Sequence, residues 1–500
     1  MDTLFFNGMF YLGNNAWAPG LLVDQKGILT NILSNEAEIT SYVSSGIQKI
    51  DMRGKWILPG FEDAHTHPAG RARTLSELDL RGKKIEWGEA QSIIKQKVHD
   101  TPKNQWIVCH GWNESTWGKI RQEDLNRISS DHGILLINIS YHGGLLNKKG
   151  EELLKKRGVL GKITDGFVTE DLFERATIAT APDAASYMRS IPLYLEKLIA
   201  RGITAAHDMN VTTTQQLEAY EELNEKNLLS IPIITYLNPR LLENPQQLIR
   251  FLQTQKGNFH IAGVKIFLDG AIGTSTAAVN KPYADGTGQG ILRMDIETCE
   301  KIIKNAATLG LSQVAIHCIG DRAIDFAIMI FDRLRKEYAR DISLWRFEHF
   351  EMPDESAIKA LAEHGGIASM QPNFSWDAEN YQKRIAEDIK KINPFRSILD
   401  ARVPLVFGSD DMPSGPIQGL AWATVNAPLP EQRITIEEAL TAYTATPARI
   451  VGMGNQRGKI ALGYEANFAV LKNNLFAMPP SEISDTLIAE TWIKGKKIFG

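Results

Sequence analysis

Short apolar runs recur along the middle of the chain, and most are followed by a stretch whose apolar positions fall three or four apart. The runs are ILPGFEDAHTH (57–67), GITAAHDM (202–209), IPIITYLN (231–238), GVKIFLDG (263–270), QVAIHCIGD (313–321), LWRFEHFE (344–351), GIASMQP (366–372) and PLVFGSDD (404–411). Each reads as a β-strand, and intervening stretches such as ETCEKIIKNAATLG and DESAIKALAEHG read as helices. Eight βα units in succession predict a TIM-type (β/α)8 barrel over residues 59–455. Both chain ends differ, with short strands separated by turns: LFFNGMFYL, GLLVDQKGILTNIL and IQKIDMRGKWIL early, then GKIALG, NFAVLKNN and TWIKGKKIF late. Residues 1–58 and 456–500 are therefore expected to pair into one small β domain. The stretch from about 104 to 180 breaks the alternation with two further strand-like runs, QWIVCHGW and GILLINIS. It reads as an insertion in a βα loop, on the face where such barrels keep their chemistry, and so as a lid.

Composition narrows the class without setting it. The 500 residues include 43% hydrophobic and 23% charged, and 55 basic against 59 acidic side chains give a net charge of −4. No basic block marks a nucleic-acid partner. Three scattered cysteines, Cys109, Cys299 and Cys318, supply neither a disulfide framework nor a CxxC zinc site. With no signal-peptide pattern and no run of about 20 apolar residues, the expectation is a cytoplasmic protein away from membranes, acting on a small molecule. A homo-oligomer is left open.

Metal-competent side chains recur where the predicted strands end. His65 and His67 lie two apart, so strand alternation turns both imidazoles to one face, an arrangement suited to a divalent metal. Lys265 interrupts an apolar strand between Val264 and Ile266, where a charged amine is costly to bury. A neutral amine there could take up CO2 as a carbamate. His317 and His349 come late in their strands, and Asp410 ends PLVFGSDD. Taken singly each has a plain reading: a histidine satisfied by a carbonyl, a lysine reaching solvent, an aspartate capping a turn. Six such residues on five strand ends are hard to assemble by accident.

Together these segments resemble the amidohydrolase superfamily, in particular the amidohydrolase-3 branch that includes N-substituted formamide deformylases. The resemblance runs through DMRGKWILPGFEDAHTHP, GWNESTWG, VKIFLDGAIGTSTA, AIHCIGDRA, FEHFE, SMQP, FGSDDMP and ALTAYTATPARIVG. It implies a distorted barrel with a β-sandwich built from both chain ends. It also implies one or two divalent ions, zinc foremost with manganese or iron as alternatives. His65 and His67 would hold the more buried ion, His317 and His349 the more exposed one, and a carboxylated Lys265 would bridge them. Asp410 would touch the first ion and act as general acid and base, with His317 also assigned to the catalytic set. The activity implied is hydrolysis of an amide or formamide-like C–N bond. Deamination of a cyclic C=N substrate and lactone or ester hydrolysis are the alternatives on the same site, and a scaffold without catalysis is a third. The strand-four lysine favours amide hydrolysis over deamination.

His142, Trp112 and Asp411 are expected substrate contacts, with Trp117, Phe374 and Trp376 as further aromatic walls. Three departures from the family pattern stand out, of which the first two bear on substrate and the third is structural. Gly273–Thr276 lacks an arginine often found there, Asp411 replaces an aromatic residue, and the C-terminal GKLAD-like motif reads Gly463-Tyr464-Glu465-Ala466-Asn467.

Overall fold

The computed structural model describes residues 1–43, 46–139, 143–412, 415–478 and 480–500. The chain divides into two compact units. One holds Met1–His67, Leu195–Val211 and Leu223–Gly500, and the other Pro68–Tyr194 and Thr212–Glu222.

At the centre of the first unit, eight parallel strands follow one another among the described residues: Phe61–Thr66, Ile203–Val211, Ile233–Leu237, Phe259–Phe267, Gln313–Cys318, Leu344–His349, Ile367–Met370 and Leu405–Phe407. Chain order is also sheet order, as right-handed βα crossovers dictate. Every predicted run supplies one strand. The sheet comes back on itself where strand eight meets strand one: Asp410 N donates to His65 O at 2.6 Å, and Ser409 N to an Asp63 carboxylate oxygen at 2.9 Å. Gly408 permits this approach, because a Cβ there would collide with the His65 backbone. The result is a nearly closed (β/α)8 barrel whose strands are buried almost throughout. Amphipathic helices such as Ile296–Thr308 and Glu355–His364 cover it, each started by an aspartate side chain, Asp295 and Asp354, accepting a backbone N–H.

One boundary differs from expectation. The run 57–67 is not a single strand, since Trp56–Pro59 belongs to an outer sheet and Phe61–Thr66 to the barrel. Gly60 is the switch. Its N–H goes to Asn467 O at 2.9 Å while that of Phe61 goes to Gly202 O at 3.0 Å, and a Cβ on Gly60 would strike Thr204.

The outer sheet joins both chain ends. Its order is Lys496–Phe499, Ile488–Ile493, Phe468–Leu471, Trp56–Pro59, Thr3–Gly13, Ala16–Val23 and Leu29–Leu33, with Gln48–Asp51 also paired to Thr3–Gly13. The seam is the antiparallel pair Phe468–Leu471 with Trp56–Pro59. The Gly463–Asn467 motif reinforces it, Leu29 N donating to Tyr464 O and Ala466 N to Gly27 O, both at 2.8 Å.

The second unit is built on five strands among the described residues: Phe167–Thr169, Gly143–Leu146, Gly133–Asn138, Trp106–Trp112 and Leu78–Asp79. Two of these are the predicted QWIVCHGW and GILLINIS runs. The unit extends on both sides of residues 104–180, from Pro68 to Tyr194, and its edge strand Leu78–Asp79 is too short to show alternation in the sequence. No helix among the described residues is long and apolar enough to cross a membrane.

Candidate active site at the strand ends

The site assembles where strands one, four, five, six and eight finish. His65, His349 and Asp410 each bring one ligand atom to within 4.8 Å of the others. His67 Nε2 lies 2.9 Å from Asp410 Oδ1, and His65 Nε2 lies 3.9 Å from that oxygen. Lys265 is fully buried, and its Nζ sits 3.4 Å from His65 Nε2. His317 is placed by its ring contact with His349, centroids 4.4 Å apart. His65, His67, Lys265, His317, His349 and Asp410 are thus brought together at one end of the barrel.

Burial works against charge on the inner groups. Burial, with Lys265 and the neighbouring imidazoles, holds the pKa of His65 well below the usual histidine range, and burial with His317 and His65 does the same for His349. Burial pushes Lys265 down to about 8 against the pull of Glu348 and Asp410. His67 goes the other way: burial opposes its charge, but the Asp410 carboxylate wins and raises it. Backbone strain collects at the same place. His349, Phe350, Asp410 and Asp411 all have left-handed φ, between 47° and 70°. Each such non-glycine residue costs on the order of 1–3 kcal/mol and is retained where its direction is needed.

Beneath the histidines lies a buried charge network that strand alternation alone did not bring to notice. His65 Nδ1 lies 2.6 Å from Glu348 Oε2, and Arg346 Nε donates to Glu348 Oε1 at 2.7 Å. Arg346 also reaches Tyr236 Oη at 2.8 Å, His207 Nδ1 at 2.9 Å and Ala64 O at 2.7 Å. His207 Nε2 continues to Glu62 at 2.9 Å, and Arg457 closes the chain on Glu62 at 3.0 Å. Donating Nδ1–H to Glu348 fixes the His65 tautomer and leaves Nε2, which faces Lys265 Nζ at 3.4 Å, as the acceptor. The sequence signal was available: Arg346 and Glu348, two apart in an apolar strand, must share a face.

Glu62 in this network has a measurable consequence. Burial opposes its ionisation, but Arg457 and His207 overcome it and hold its pKa at about 2, against an ordinary 4.5. A depressed carboxyl stabilises the fold above its unfolded value and loses that contribution as pH falls toward the folded one. We expect wild type to exceed Glu62→Gln by roughly 3 kcal/mol above pH 5, with the gap closing toward pH 2. Urea unfolding across that range checks it, and a gap independent of pH contradicts it.

The remaining candidates fall elsewhere. Asp411 Oδ1 accepts from Thr66 Oγ1 at 2.6 Å and Oδ2 from His67 N at 3.0 Å, which anchors it to the end of strand one. Trp112 and Trp117 are buried in the apolar core of the second unit, and His142 lies outside the described residues. Phe374 is 6.1 Å from the His349 ring, whereas Trp376 is 55% exposed. An arginine does reach the 273–276 stretch, from a distant helix: Arg384 Nη1 donates to Ser275 Oγ at 2.6 Å and pairs with Asp285 at 3.0 Å.

Comparisons with known proteins agree with this geometry. A family model described as the amidohydrolase family matches residues 48–499. YtcJ of Bacillus subtilis is 26% identical over 518 residues, covering 95% of each chain. The N-substituted formamide deformylase of Arthrobacter pascens is 24% identical, covering 96% of this chain and 95% of its own. The crystal structure of an uncharacterised metal-dependent hydrolase from Pyrococcus horikoshii superposes with a TM-score of 0.81 at 25% identity, over 96% of this chain and 99% of that one. The barrel, its strand-end cluster and the family match over most of the sequence establish that this chain belongs to the amidohydrolase family.

Proposed function

We propose that the chain is a metal-dependent hydrolase of C–N bonds, cleaving an N-substituted formamide or a small N-acyl amine with Asp410 as general acid and base. The observation that carries this reading is the convergence of His65, His349 and Asp410 ligand atoms within 4.8 Å at the barrel end. The donor set fits a divalent ion. It offers imidazoles kept neutral by burial, a carboxylate, and a buried His349 Nδ1 with no hydrogen-bond partner among the described residues. His65, His67, His317, His349 and Asp410 would hold one or two such ions, zinc, manganese or iron. Lys265 would bridge as a carbamate, its buried Nζ having no carboxylate within ion-pair distance among the described residues. When bound, the ion supplies Lewis acidity that polarises the scissile carbonyl and brings the pKa of water toward about 7.

The chain's own residues supply the proton transfers. His67 engages Asp410 Oδ1, which leaves Oδ2 to take a proton from the attacking water and return it to the leaving nitrogen. An amine leaves poorly until protonated, so this second transfer is what amide cleavage demands. His317 Nε2 donates to Gly270 O at 2.9 Å, which leaves Nδ1 as the atom that would hold an ion. Glu348 holds His65 in the tautomer the centre needs. The similarity to the Arthrobacter formamide deformylase supports the substrate class.

The test is a product assay of the metal-replete protein on N-substituted formamides, N-acyl amines, N-acyl amino acids, cyclic amidines and lactones. Release of a free amine and a carboxylate from the first two groups is expected. Turnover confined to lactones, or ammonia released from the cyclic compounds alone, would replace this reading with one of its alternatives.

A further inference from the structure

The interior of a (β/α)8 barrel is ordinarily filled by layers of branched apolar side chains. Here a guanidinium occupies part of that space. Arg346, on strand six, is fully buried. Its N–H groups are all spent on acceptors around it. Nε donates to Glu348 Oε1 at 2.7 Å. Nη1 donates to His207 Nδ1 at 2.9 Å and to Tyr236 Oη at 2.8 Å. Nη2 donates to Ala64 O at 2.7 Å and to Ser369 Oγ at 3.0 Å, and approaches Glu348 Oε2 at 3.3 Å. One side chain thereby ties together strands one, two, three, six and seven, and Tyr236 Oη extends the tie to Gln313 Oε1 of strand five at 2.5 Å.

A buried ionic group is a poor source of stability compared with a packed apolar core. What it does supply is direction. A guanidinium has no acceptor and keeps its protons, so every partner is obliged to accept. His207 must therefore present a bare Nδ1, which puts its proton on Nε2, and that nitrogen faces Glu62 Oε1 at 2.9 Å. Tyr236 accepts in the same way and sends its own proton on to Gln313. On the other side the planar fork holds Glu348 and, through Ala64 O, the stretch of strand one next to His65. Its reach into the candidate centre is indirect, since Glu348 Oε2 lies 2.6 Å from His65 Nδ1.

We propose that Arg346 is a positioning residue of the centre: it aligns Glu348 so that His65 carries its proton on Nδ1 and offers Nε2 to an ion. This rests on the metal-dependent reading above and deepens it, because the orientation of one ligand is traced to a residue outside the ligand set. The role lies in the number and placement of donors. A lysine would keep the charge but bring three donors on a single atom to acceptors arranged around a planar fork.

The experiment reads the histidine itself. The full chain, isotope-labelled in its histidine nitrogens, is observed by NMR with and without zinc, and the His65 signals are assigned with His65→Gln. Zinc affinity is measured in parallel by competition with a chelator. Wild type should show an exchange-protected Nδ1–H on His65. Arg346→Lys should lose that protected proton and bind zinc about ten- to a hundredfold more weakly, the range expected when a partner that orients a metal ligand is removed. Glu348→Gln is nearly isosteric, gives the sharper result, and stands in if Arg346→Lys does not accumulate. Arg346 Nε needs an acceptor, so it claims the amide oxygen and turns the NH2 toward His65 Nδ1. The His65 proton is then driven to Nε2, the Nδ1–H signal disappears, and zinc affinity falls by at least about tenfold. A folded Arg346→Lys with the Nδ1–H signal and zinc affinity of wild type would overturn the proposal. So would a Glu348→Gln protein that keeps both, because its amide would have turned the oxygen to His65 against the demand of Arg346. A protected Nδ1–H that is lost in both variants, in a chain that binds no zinc, would keep the positioning role and discard the metal-dependent reading.

Discussion

Asp410→Asn should lower kcat by at least about a thousandfold while the protein stays folded, since a general base alone accounts for 10²–10⁴ and this carboxylate would also hold metal. The amide keeps the shape and can still engage His67, but it can neither accept the water's proton nor deliver one to the leaving nitrogen. The neighbouring aspartate provides the control. Asp411 spends both oxygens on Thr66 and His67, so Asp411→Asn loses one acceptor and should cost stability on the order of 1 kcal/mol with a far smaller fall in kcat. Purified variants compared by steady-state rate and melting temperature check the pair. If Asp411→Asn were the more damaging to kcat, the two aspartates would have exchanged roles.

The second large effect belongs to Lys265. Its amine is fully buried, is pushed down to about 8 by that burial, and touches His65 Nε2 at 3.4 Å. Lys265→Ala should lose both bound metal and activity, and short carboxylic acids should restore part of each by standing in for the carbamate. Lys265→Arg should be damaged as severely, because guanidinium keeps its charge and cannot be carboxylated. Metal analysis and rate together separate this from a packing role. Near-normal metal content and rate in either variant would make the lysine a structural residue.

Most of the barrel was legible because parallel strands buried on both faces read as apolar runs, and five of the eight runs carried a residue that no core requires. Lys265, His317, His349 and Asp410 stood out against Val, Ile and Phe neighbours for that reason. Two kinds of feature were not legible. The first is where a strand changes sheet. Nothing in ILPGFEDAHTH says that Gly60 divides it, because what requires a glycine there is the close approach of Thr204, 144 positions away. The second is pairing across strands. Glu62, His207, Arg346, Glu348 and Arg457 look like unrelated polar residues in the sequence, and only the closed sheet joins them into the network that orients His65. The same limit explains the arginine at the 273–276 stretch, which is supplied by Arg384 from over a hundred residues away.

Hydrolysis should depend on a divalent ion held by the strand-end cluster. The measurement that tests it most directly is elemental analysis of the purified chain, before and after chelation, alongside the rate on an N-substituted formamide. One to two equivalents of zinc, manganese or iron per chain are expected, with the rate lost as the ion is removed and regained when it is returned. Full activity in protein carrying less than about a tenth of an equivalent of any transition metal would contradict the account.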